Sequence, residues 1–475
     1  MAHERRTRIV ATVGPASRDP EMLAALVEAG VNVFRLNLSH GTHEQHLEVI
    51  ERIRGLGASI KRHIAILGDL CGPKIRVGLF PGGSVMLETG AEVVVTTRDV
   101  PGSPTVIPSQ YASLHQDVRP DARILLDDGL LELRVVRIDG TEVHCKVIHG
   151  GVLGDKKGMN LPGSNLSTPA LTAKDRDDAD FLLKQGVDLL ALSFVRRPGD
   201  IDDLRKVINA AGRSTPIIAK IEKPEAIDSL DGILEAADGV MVARGDLGVE
   251  MPLESVPIIQ ADIIERARNK AKPVIVATQM LESMVSQPRP TRAEASDVST
   301  AVFAGADAVM LSAETAKGKY PVETVRTMNR ICRKVEGWQS LETGFRQPAA
   351  RGEHPDRPHS ISLRRALGRC TAQMSNDLRV RAIVVRSKGG TSAAIVSSTR
   401  PSAPIVALTT DERVARRMSL LWGVIPRVIT AEEFDRPKSA ARNQASALGL
   451  AEPGQHLLLL SGLGKQEPSL TVLPL

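Results

Sequence analysis

The sequence predicts an α/β protein built on a (β/α)8 barrel, with a small β domain inserted in the barrel and an open α/β domain at the carboxyl end. Three observations lead to this prediction. Eight short apolar runs alternate with helical patterns, one glycine-punctuated stretch of alternating residues interrupts them, and further apolar runs follow a segment rich in proline and arginine. A chain of 475 residues is also too long for one ordinary core, which favours several domains.

The eight apolar runs have the length and composition of buried parallel strands, and each ends in polar residues. In chain order they are RIVATVG from Arg8, NVFRLNLSHG from Asn32, IAILGDL from Ile64, LLALSFVRR from Leu189, IIAKIEK from Ile217, GVMVARGDLG from Gly239, VIVATQM from Val274 and AVMLSAETAKG from Ala308. Patterns such as MLAALVEAG and IDDLRKVINAAG predict the helices between them. We assign residues 1–76 and 170–338 to this TIM-barrel catalytic domain, whose active site is expected at the carboxyl ends of the strands.

One connection breaks the alternation of strands and helices. The segments VMLETGAEVVVTT and RILLDDGLLELRVVRIDGTEVHCKVIHGG alternate with a period of two and contain glycine at their turns. They predict a small inserted β-barrel domain over residues 77–169. Because the insertion follows the third barrel strand at the catalytic rim, we expect it to act as a lid.

The last barrel helix is predicted to begin at Pro321, since proline suits the first position of a helix. The stretch FRQPAARGEHPDRPHS then predicts a linker, which we place at residues 339–358. Beyond it, RAIVVRSKGGTSAAIVSSTRP, PIVALTTD, PRVIT and HLLLLSGLGK predict strands of a carboxyl-terminal α/β domain over residues 359–475.

Composition excludes several classes of function. Aromatic residues make up only 2% of the chain, and the net charge of +5 is spread without a basic tract, so we expect no nucleic-acid partner. The segment MAHERRTRIVATVG has no apolar signal region, and no run approaches the roughly 18 apolar residues of a membrane span, so no membrane partner is expected. The four cysteines lie far apart without metal-ligand spacing, which favours a reducing, cytoplasmic location.

Polar side chains recur near the ends of three predicted strands. With the period of two of a strand, each of these sets shares one face: Arg35, Asn37 and Ser39; Lys220 and Glu222; Arg244 and Asp246. An internal salt bridge is the alternative for each charged pair, and we keep it open for Arg244 in particular. Lys220 is the stronger functional candidate, because buried lysines are rarely retained without a task.

Glu222 and Asp246 follow consecutive strands, so their carboxylates are expected to lie close together. Two hard oxygen ligands with room for water and substrate suit Mg²⁺ or Mn²⁺ better than Zn²⁺. Lys220, Arg35 and Arg76 would surround the metal with positive charge, which phosphoryl transfer requires. The chain has neither a Walker A sequence nor a GxGxxG motif, which excludes P-loop and protein-kinase-like enzymes.

Nine segments of the chain resemble motifs of the pyruvate kinase family, in the family's order: IVATVGPAS, VFRLNLSHGTHE, GPKIR, KKGMNLPG, AKIEKPEAI, VARGDLGVE, ATQMLESM, PRPTRAEASDV and LSAETAKGKYP. The resemblance covers the barrel and the inserted domain and is weaker in the carboxyl-terminal domain. It implies a cytoplasmic glycolytic enzyme that transfers the phosphoryl group of phosphoenolpyruvate to ADP with Mg²⁺, giving pyruvate and ATP. It also implies a homotetramer.

The resemblance further implies roles for individual residues. Lys220 would stabilise the transferring phosphoryl group, Glu222 and Asp246 would hold Mg²⁺, with Mn²⁺ left open as a substitute, and Thr278 would lie near the carbon that is protonated. The groups that would bind phosphoenolpyruvate are Arg35, Lys220, Gly245, Asp246 and Thr278. The groups that would face the nucleotide are Asn37, His40, Arg76 and Lys157, with Asp128 on the lid side.

Many family members also bind a monovalent cation, usually K⁺, and the matching groups here are Asn37, Ser39, Asp69 and the carbonyl of Leu70. Members that require K⁺ usually have Glu at the position of Lys74 and Thr at that of Leu70, so the resemblance is to the K⁺-independent branch. We hypothesise that the Lys74 ammonium supplies the charge that K⁺ would bring. The alternative is that Lys74 is a solvated charge at the rim.

In the carboxyl-terminal domain, SKGGTS offers hydroxyls, a lysine and backbone N–H groups, which would form a phosphate cradle if a helix follows. The resemblance implies an allosteric site at Ser387, Lys388, Gly389, Gly390, Thr391 and Ser392, and the alternative is an ordinary glycine-rich turn. The loop SGLGKQEPSLT lacks the Trp and Arg of members activated by fructose-1,6-bisphosphate, which leaves another phosphosugar or AMP as the effector.

Two other functions compete with phosphoryl transfer. A barrel lyase or aldolase acting on 2-oxo acids would also use Mg²⁺, Glu222 and Asp246, but it would need neither Arg76 and Lys157 nor a lid. A catalytically silent regulator that binds sugar phosphates would be expected to have lost Lys220 or the two carboxylates, and the sequence retains all three.

Overall fold

A computed structural model describes residues 5–164, 166–342, 362–463 and 467–475. Eight parallel strands pair in chain order and close into a barrel, because the first strand pairs with both the second and the eighth. Barrel strands 1 to 8 are Arg8–Thr12, Val33–Asn37, Ala65–Asp69, Leu189–Leu192, Ile217–Ile221, Gly239–Ala243, Val274–Ala277 and Ala308–Leu311. Each lies within one of the eight apolar runs of the sequence, so the predicted fold class is confirmed.

Helices surround the barrel, and their apolar faces pack on the outside of its strands. They are Pro20–Ala29, His43–Ser59, Ala173–Lys184, Pro198–Ala210, Pro224–Asp228, Leu230–Ala236, Arg244–Glu250, Val256–Asn269, Arg292–Ala304, Ala313–Ala316 and Pro321–Glu342. Three of them start at a threonine whose hydroxyl accepts a first-turn N–H, at Thr42, Thr172 and Thr291. In the described part of the chain, none is long and apolar enough to cross a membrane.

The last barrel helix begins at Pro321, as predicted, and continues to Glu342. The first residues of the segment assigned to a linker, 339–358, are therefore helical. The remainder of that segment lies outside the described residues, and the exact domain boundaries stay a prediction.

Two segments at the rim differ from the strand pattern. Strand 6 ends at Ala243 and a helix begins at Arg244, so the prediction that Arg244 and Asp246 share one face of a strand was wrong. The Gly245 N–H donates to the Thr278 hydroxyl at 2.7 Å and therefore makes no strand ladder bond. Strand 2 ends at Asn37, so Ser39 lies in the turn beyond it.

The inserted segment is β structure with its own apolar core, as the sequence predicts. A six-stranded sheet contains, in spatial order, Met159–Asn160, Arg123–Leu126, Leu131–Asp139, Glu142–His149, Glu92–Thr96 and Val106–Pro108. A second sheet pairs Ser84–Leu87 with Gly151–Gly154, and one short helix spans Leu114–Asp117. This inserted domain, called the lid below, lies over the carboxyl ends of the barrel strands.

The opposite end of the barrel, its foot, carries a fourfold pattern. A polar residue immediately before each even-numbered strand accepts the N–H near the start of the preceding odd-numbered strand, at 2.8 to 3.1 Å. The acceptors are Asn32, Asp188, Asp238 and Asp307, and the donors are Ile9, Ile66, Ile217 and Val274. These bonds satisfy backbone donors at the open end of a closed sheet.

The carboxyl-terminal domain is an open five-stranded sheet. Its strands, in spatial order, are Val424–Val428, Ile405–Thr409, Ala382–Arg386, His456–Ser461 and Ser469–Pro474, and its helices are Leu363–Asp377, Thr391–Ser398, Glu412–Met418, Ala431–Asp435 and Pro437–Ala447. The four predicted strands are present. The last strand, which runs antiparallel to its neighbour, was not predicted.

This domain docks on the barrel foot. Leu420 belongs to the apolar cluster that fills the barrel interior. Arg416 pairs with Asp188 at 2.8 Å and Arg400 pairs with Asp307 at 3.1 Å, so two of the four acceptors of the foot also bind the carboxyl-terminal domain.

Candidate active site

A cavity of about 220 Å³ lies between the carboxyl ends of the barrel strands and the lid. Most of the residues selected from the sequence line it: Arg35, Asn37, Ser39, Asp69, Leu70, Lys74, Arg76, Asp128, Lys220, Glu222 and Asp246. His40, Lys157, Gly245 and Thr278 do not form part of its wall. The structure therefore brings together the residues proposed to bind the metal, the phosphoryl group and the monovalent cation. Some of the residues proposed to bind phosphoenolpyruvate and the nucleotide lie just outside the cavity.

Lys220 lies at the centre of this site, near the end of strand 5. Its Nζ is 2.8 Å from Glu222 Oε1 and 3.5 Å from Asp69 Oδ1, and it donates to Ser193 Oγ at 2.8 Å. Burial disfavours the ammonium, but the charges of Asp69 and Glu222 outweigh burial and raise the pKa of Lys220. The side chain is therefore a fixed positive charge. The internal ion pairs considered as an alternative for Lys220 are thus present, within a cavity.

Asp69 ends strand 3 and is almost completely buried. Arg35 Nε donates to Asp69 Oδ2 at 2.6 Å, and Arg35 also donates to the Thr12 hydroxyl at 3.0 Å. Although burial would raise the pKa of Asp69, Lys220 and Arg35 hold it below its usual range. A permanent carboxylate between two cations thus fixes Arg35 at the rim.

Glu222 and Asp246 form an acidic pair. The buried Glu222 accepts the Phe194 N–H on Oε2 at 2.9 Å. Asp246 keeps access to water, but surrounding protein and the negative charge of Glu222 raise the pKa of Asp246 to about 6. Two carboxylates that repel each other beside open space have the oxygen donors that Mg²⁺ prefers, and Mg²⁺ commonly takes its other ligands from water and phosphate. The residues present therefore fit a magnesium ion.

The described residues contain no cluster of three or more His, Cys, Asp and Glu side chains arranged to hold a metal. A site with two carboxylates is consistent with that result, because Mg²⁺ in phosphoryl-transfer sites is often held by one or two carboxylates plus substrate phosphates.

Thr278 follows strand 7 in a strained conformation. Its φ is +69° and that of Gln279 is +52°, a region that residues with a β-branched side chain rarely occupy. Arg244 supports this turn because its Nη2 donates to the Thr278 carbonyl at 2.7 Å, while its Nη1 pairs with Asp297 at 2.5 Å. Arg244 therefore forms an internal salt bridge with Asp297 and not with Asp246, the partner that the sequence suggested, and it anchors the turn that carries Thr278.

Of the residues proposed to face the nucleotide, Asn37 and Arg76 line the cavity, whereas His40 and Lys157 lie outside its wall. His40 contacts Asn37 at 3.3 Å, and burial together with Lys74 lowers the pKa of His40. Arg76 donates to the Lys156 carbonyl at 3.2 Å. Lys157 instead pairs with Asp127 at 2.8 Å on the exposed side of the lid.

Several polar contacts at the site were not predicted from the sequence. Lys223 pairs with the buried Glu250 at 2.5 Å, and Asn160 of the lid donates to the same carboxylate at 2.9 Å. Ser193 and Phe194 bind Lys220 and Glu222, respectively. Ser193 could have been found, because it follows the end of strand 4, where polar residues of the other strands were selected. Glu250 gave no such signal.

Comparisons with known proteins identify the family of the chain. The family model "Pyruvate kinase, barrel domain" matches residues 4–325, and "Pyruvate kinase, alpha/beta domain" matches residues 365–471. The chain is 46% identical over 457 residues to "Pyruvate kinase 2" of Synechocystis sp., covering 95% of this chain and 75% of that protein. It is 44% identical over 468 residues to a pyruvate kinase of Agrobacterium vitis, covering 97% and 94%.

The fold is also similar to a crystal structure of a pyruvate kinase from Cryptosporidium parvum. The TM-score is 0.90 at 33% sequence identity, and the similarity covers 99% of this chain and 96% of that one. Because the barrel-domain model alone matches well over half of the chain, and both relatives exceed 40% identity across nearly all of it, the protein belongs to the pyruvate kinase family.

Proposed function

We propose that the cavity under the lid is where this member of the family transfers the phosphoryl group of phosphoenolpyruvate to ADP. The observation that carries the proposal is the placement of Lys220, a fixed cation, beside the acidic pair Glu222 and Asp246. Transfer of a phosphoryl group spreads negative charge over its oxygens, and a metal site beside a lysine stabilises that charge.

The residues of the cavity then have distinct roles. Arg35, oriented by Asp69, binds the phosphate of phosphoenolpyruvate, and Lys220 stabilises the phosphoryl group during transfer. Gly245 and Thr278, which hydrogen-bond to each other just outside the cavity wall, would contact this group, with Thr278 close to the carbon of enolpyruvate that takes a proton. Bound Mg²⁺, held by Glu222 and Asp246, would supply further positive charge to the transferring oxygens, and Mn²⁺ has the same preference for oxygen.

The nucleotide side and the lid complete the site. Asn37, His40 and Arg76 face ADP at the rim, and Lys157 would join them if the lid turned inward. Asp128 extends from the lid into the cavity. A lid that excludes water protects the phosphoryl donor from hydrolysis.

Potassium is proposed to be dispensable because Lys74 supplies a positive charge at the site. Lys74 lines the same cavity as Asn37, Ser39, Asp69 and Leu70, the groups that would otherwise hold K⁺. A single ammonium has the same charge as K⁺ and needs no separate binding step.

Allosteric regulation is proposed for the glycine-rich loop of the carboxyl-terminal domain. The loop precedes helix Thr391–Ser398, which is the condition for a phosphate cradle. Gly389, Gly390 and Thr391 line a larger cavity of about 810 Å³ between the barrel foot and this domain. Arginines and lysines dominate its charged lining: Arg213, Lys270, Lys272, Arg364, Arg365, Arg413 and Arg417 against Asp238 and Asp411. An anionic effector such as a phosphosugar or AMP fits this charge. A homotetramer in the cytoplasm completes the proposal.

The test measures pyruvate formation from phosphoenolpyruvate and ADP with Mg²⁺ in potassium-free buffer, with and without KCl. Wild type is compared with Lys220→Met and with Lys184→Met, a matched change at an exposed lysine that pairs with Asp180 at 3.4 Å on a surface helix. We expect activity that is indifferent to KCl, lost in Lys220→Met and retained in Lys184→Met.

Three other results would change the proposal. Activity that appears only with KCl would keep the enzyme and reject the role of Lys74. Full activity of Lys220→Met would reject the catalytic role of that lysine. No activity in either buffer, even with phosphosugars and AMP added, would favour the silent regulator.

A further inference from the structure

Barrel strand 4 is followed by two residues, Ser193 and Phe194, that contact both groups on which the proposed reaction depends. Ser193 Oγ lies 2.8 Å from the ammonium of Lys220 and 2.7 Å from the Leu70 carbonyl oxygen. The Phe194 N–H donates to Glu222 Oε2 at 2.9 Å. One short corner of the chain therefore holds the lysine through a side chain and the carboxylate through the backbone.

The direction of these hydrogen bonds is fixed by the available protons. The Leu70 carbonyl can only accept, so the single hydroxyl proton of Ser193 points to it. The lone pairs of Ser193 Oγ then face Lys220, whose ammonium can only donate. Because Ser193 is only 2% exposed, water does not compete for this arrangement.

Ser193 differs from the other two acceptors around Lys220 in being neutral. Glu222 and Asp69 hold the ammonium but also offset its positive charge. The Ser193 hydroxyl orients the N–H bonds of Lys220 without offsetting the positive charge of the ammonium. It also stays available when Glu222 binds a metal, so it is suited to orient Lys220 toward a phosphoryl group.

The backbone of this corner is strained at Phe194. Phe194 has a φ of +56°, which is unusual for a bulky residue. Its ring packs against Gly72, where a Cβ would approach the ring to 2.7 Å and the Ser193 Cβ to 3.0 Å. Strained residues persist where the surrounding structure determines them, and they concentrate at functional sites.

We propose that Ser193 is a positioning residue for phosphoryl transfer, whose hydroxyl orients the Lys220 ammonium toward the transferring group. This inference rests on the proposed function, because it assumes the role given there to Lys220. It assigns Ser193 no contact with substrate.

The corner offers a readout that separates positioning from general structural support. If removing the hydroxyl disturbed the whole corner, the Phe194 N–H would move as well, and the Mg²⁺ requirement would rise through Glu222. If only Lys220 loses its orientation, kcat falls while the Mg²⁺ requirement and the KM for phosphoenolpyruvate stay the same.

The experiment compares Ser193→Ala, Ser193→Cys and Ser193→Thr with wild type and Lys220→Met. A hydrogen bond to a charged group is worth about 1.5–3 kcal/mol, so we expect kcat to fall by about tenfold to a hundredfold in the Ala and Cys variants. Ser193→Thr retains the hydroxyl and should recover most of the rate. Ser397→Ala is the matched control, since this buried serine also donates to a carbonyl, that of Trp422 at 2.8 Å, but lies far from the cavity.

Two results would overturn the inference while leaving the proposed function in place, and a third would overturn both. The first is a wild-type kcat in Ser193→Ala while Lys220→Met is inactive, which leaves the proposed function intact. The second is a fall in kcat matched by a rise in the Mg²⁺ requirement and not recovered by Ser193→Thr. An active Lys220→Met would instead reject the role of Lys220 and, with it, this inference. If the Ala variant does not fold, the Cys and Thr variants decide between the same outcomes.

Discussion

Because the pKa of Asp246 is raised, we expect metal binding at the site to depend on pH. A carboxyl group must lose its proton to bind Mg²⁺, so protons compete with the metal at this residue. Desolvation by the surrounding protein and the charge of Glu222 raise its pKa from an ordinary value of 3.8 to about 6. Lowering the pH through this range should therefore weaken metal binding before the other carboxylates of the surface are protonated.

The size of the effect follows from that pKa. If Asp246 has a pKa near 6, about one in eleven of its carboxyl groups is ionised at a pH of about 5, whereas about nine in ten are ionised at a pH of about 7. The apparent dissociation constant should therefore rise by about tenfold between these two conditions. An ordinary aspartate would be ionised at both, and the constant would hardly change.

The assay uses Mn²⁺ as the probe, with free ion counted by electron paramagnetic resonance in ligand-free protein. Asp246→Asn is the control, because it removes the titrating group; its binding should be weaker and much less dependent on pH. Equal Mn²⁺ affinity of wild type at both pH values would refute the reasoning. So would the same tenfold change in Asp246→Asn, because another group would then be responsible.

Three further predictions concern the framework around the site. Asp188→Asn should lower the free energy of unfolding by about 3 kcal/mol in urea titrations, because it removes a fully buried charge that pairs with Arg54 and Arg416; a loss below about 1 kcal/mol would contradict this. Arg244→Lys should reduce kcat by about tenfold or more, since lysine cannot reproduce the forked contacts that hold the turn of Thr278, and an unchanged kcat would show that these contacts are dispensable. Thiol titration of the folded protein near neutral pH should modify the exposed Cys370 and spare the buried Cys145 and Cys332, because burial raises the pKa of both buried thiols to about 12. Reaction of all three cysteines at one rate would contradict this prediction.

The barrel could be predicted from the sequence because its strands depend on local signals. Each is a short, almost wholly apolar run, and a parallel strand buried on both faces requires that composition. The last strand, Ser469–Pro474, gave a weaker signal, since only one of its residues is fully buried. It forms because His456–Ser461 offers a free edge for antiparallel pairing.

The candidate site was predictable only in part. Lys220, Glu222 and Asp69 lie at or next to strand ends, and the order of strands determines their proximity. The prediction placed Arg244 on a strand, whereas the residue begins a helix. The strand stops there because the Gly245 N–H donates to Thr278, a contact between segments more than thirty residues apart. The bond between Asn160 and Glu250 joins two domains, and no local pattern indicates such a pairing.

The foot of the barrel has a consequence for how the chain can change over time. A variant that ended at Glu342 would expose the interior position that Leu420 fills and would leave Asp188 and Asp307 without Arg416 and Arg400. Several substitutions would have to arise together before such a shortened barrel could persist. Selection for a stable barrel would therefore retain the carboxyl-terminal domain, even though none of the described residues of that domain lines the cavity under the lid.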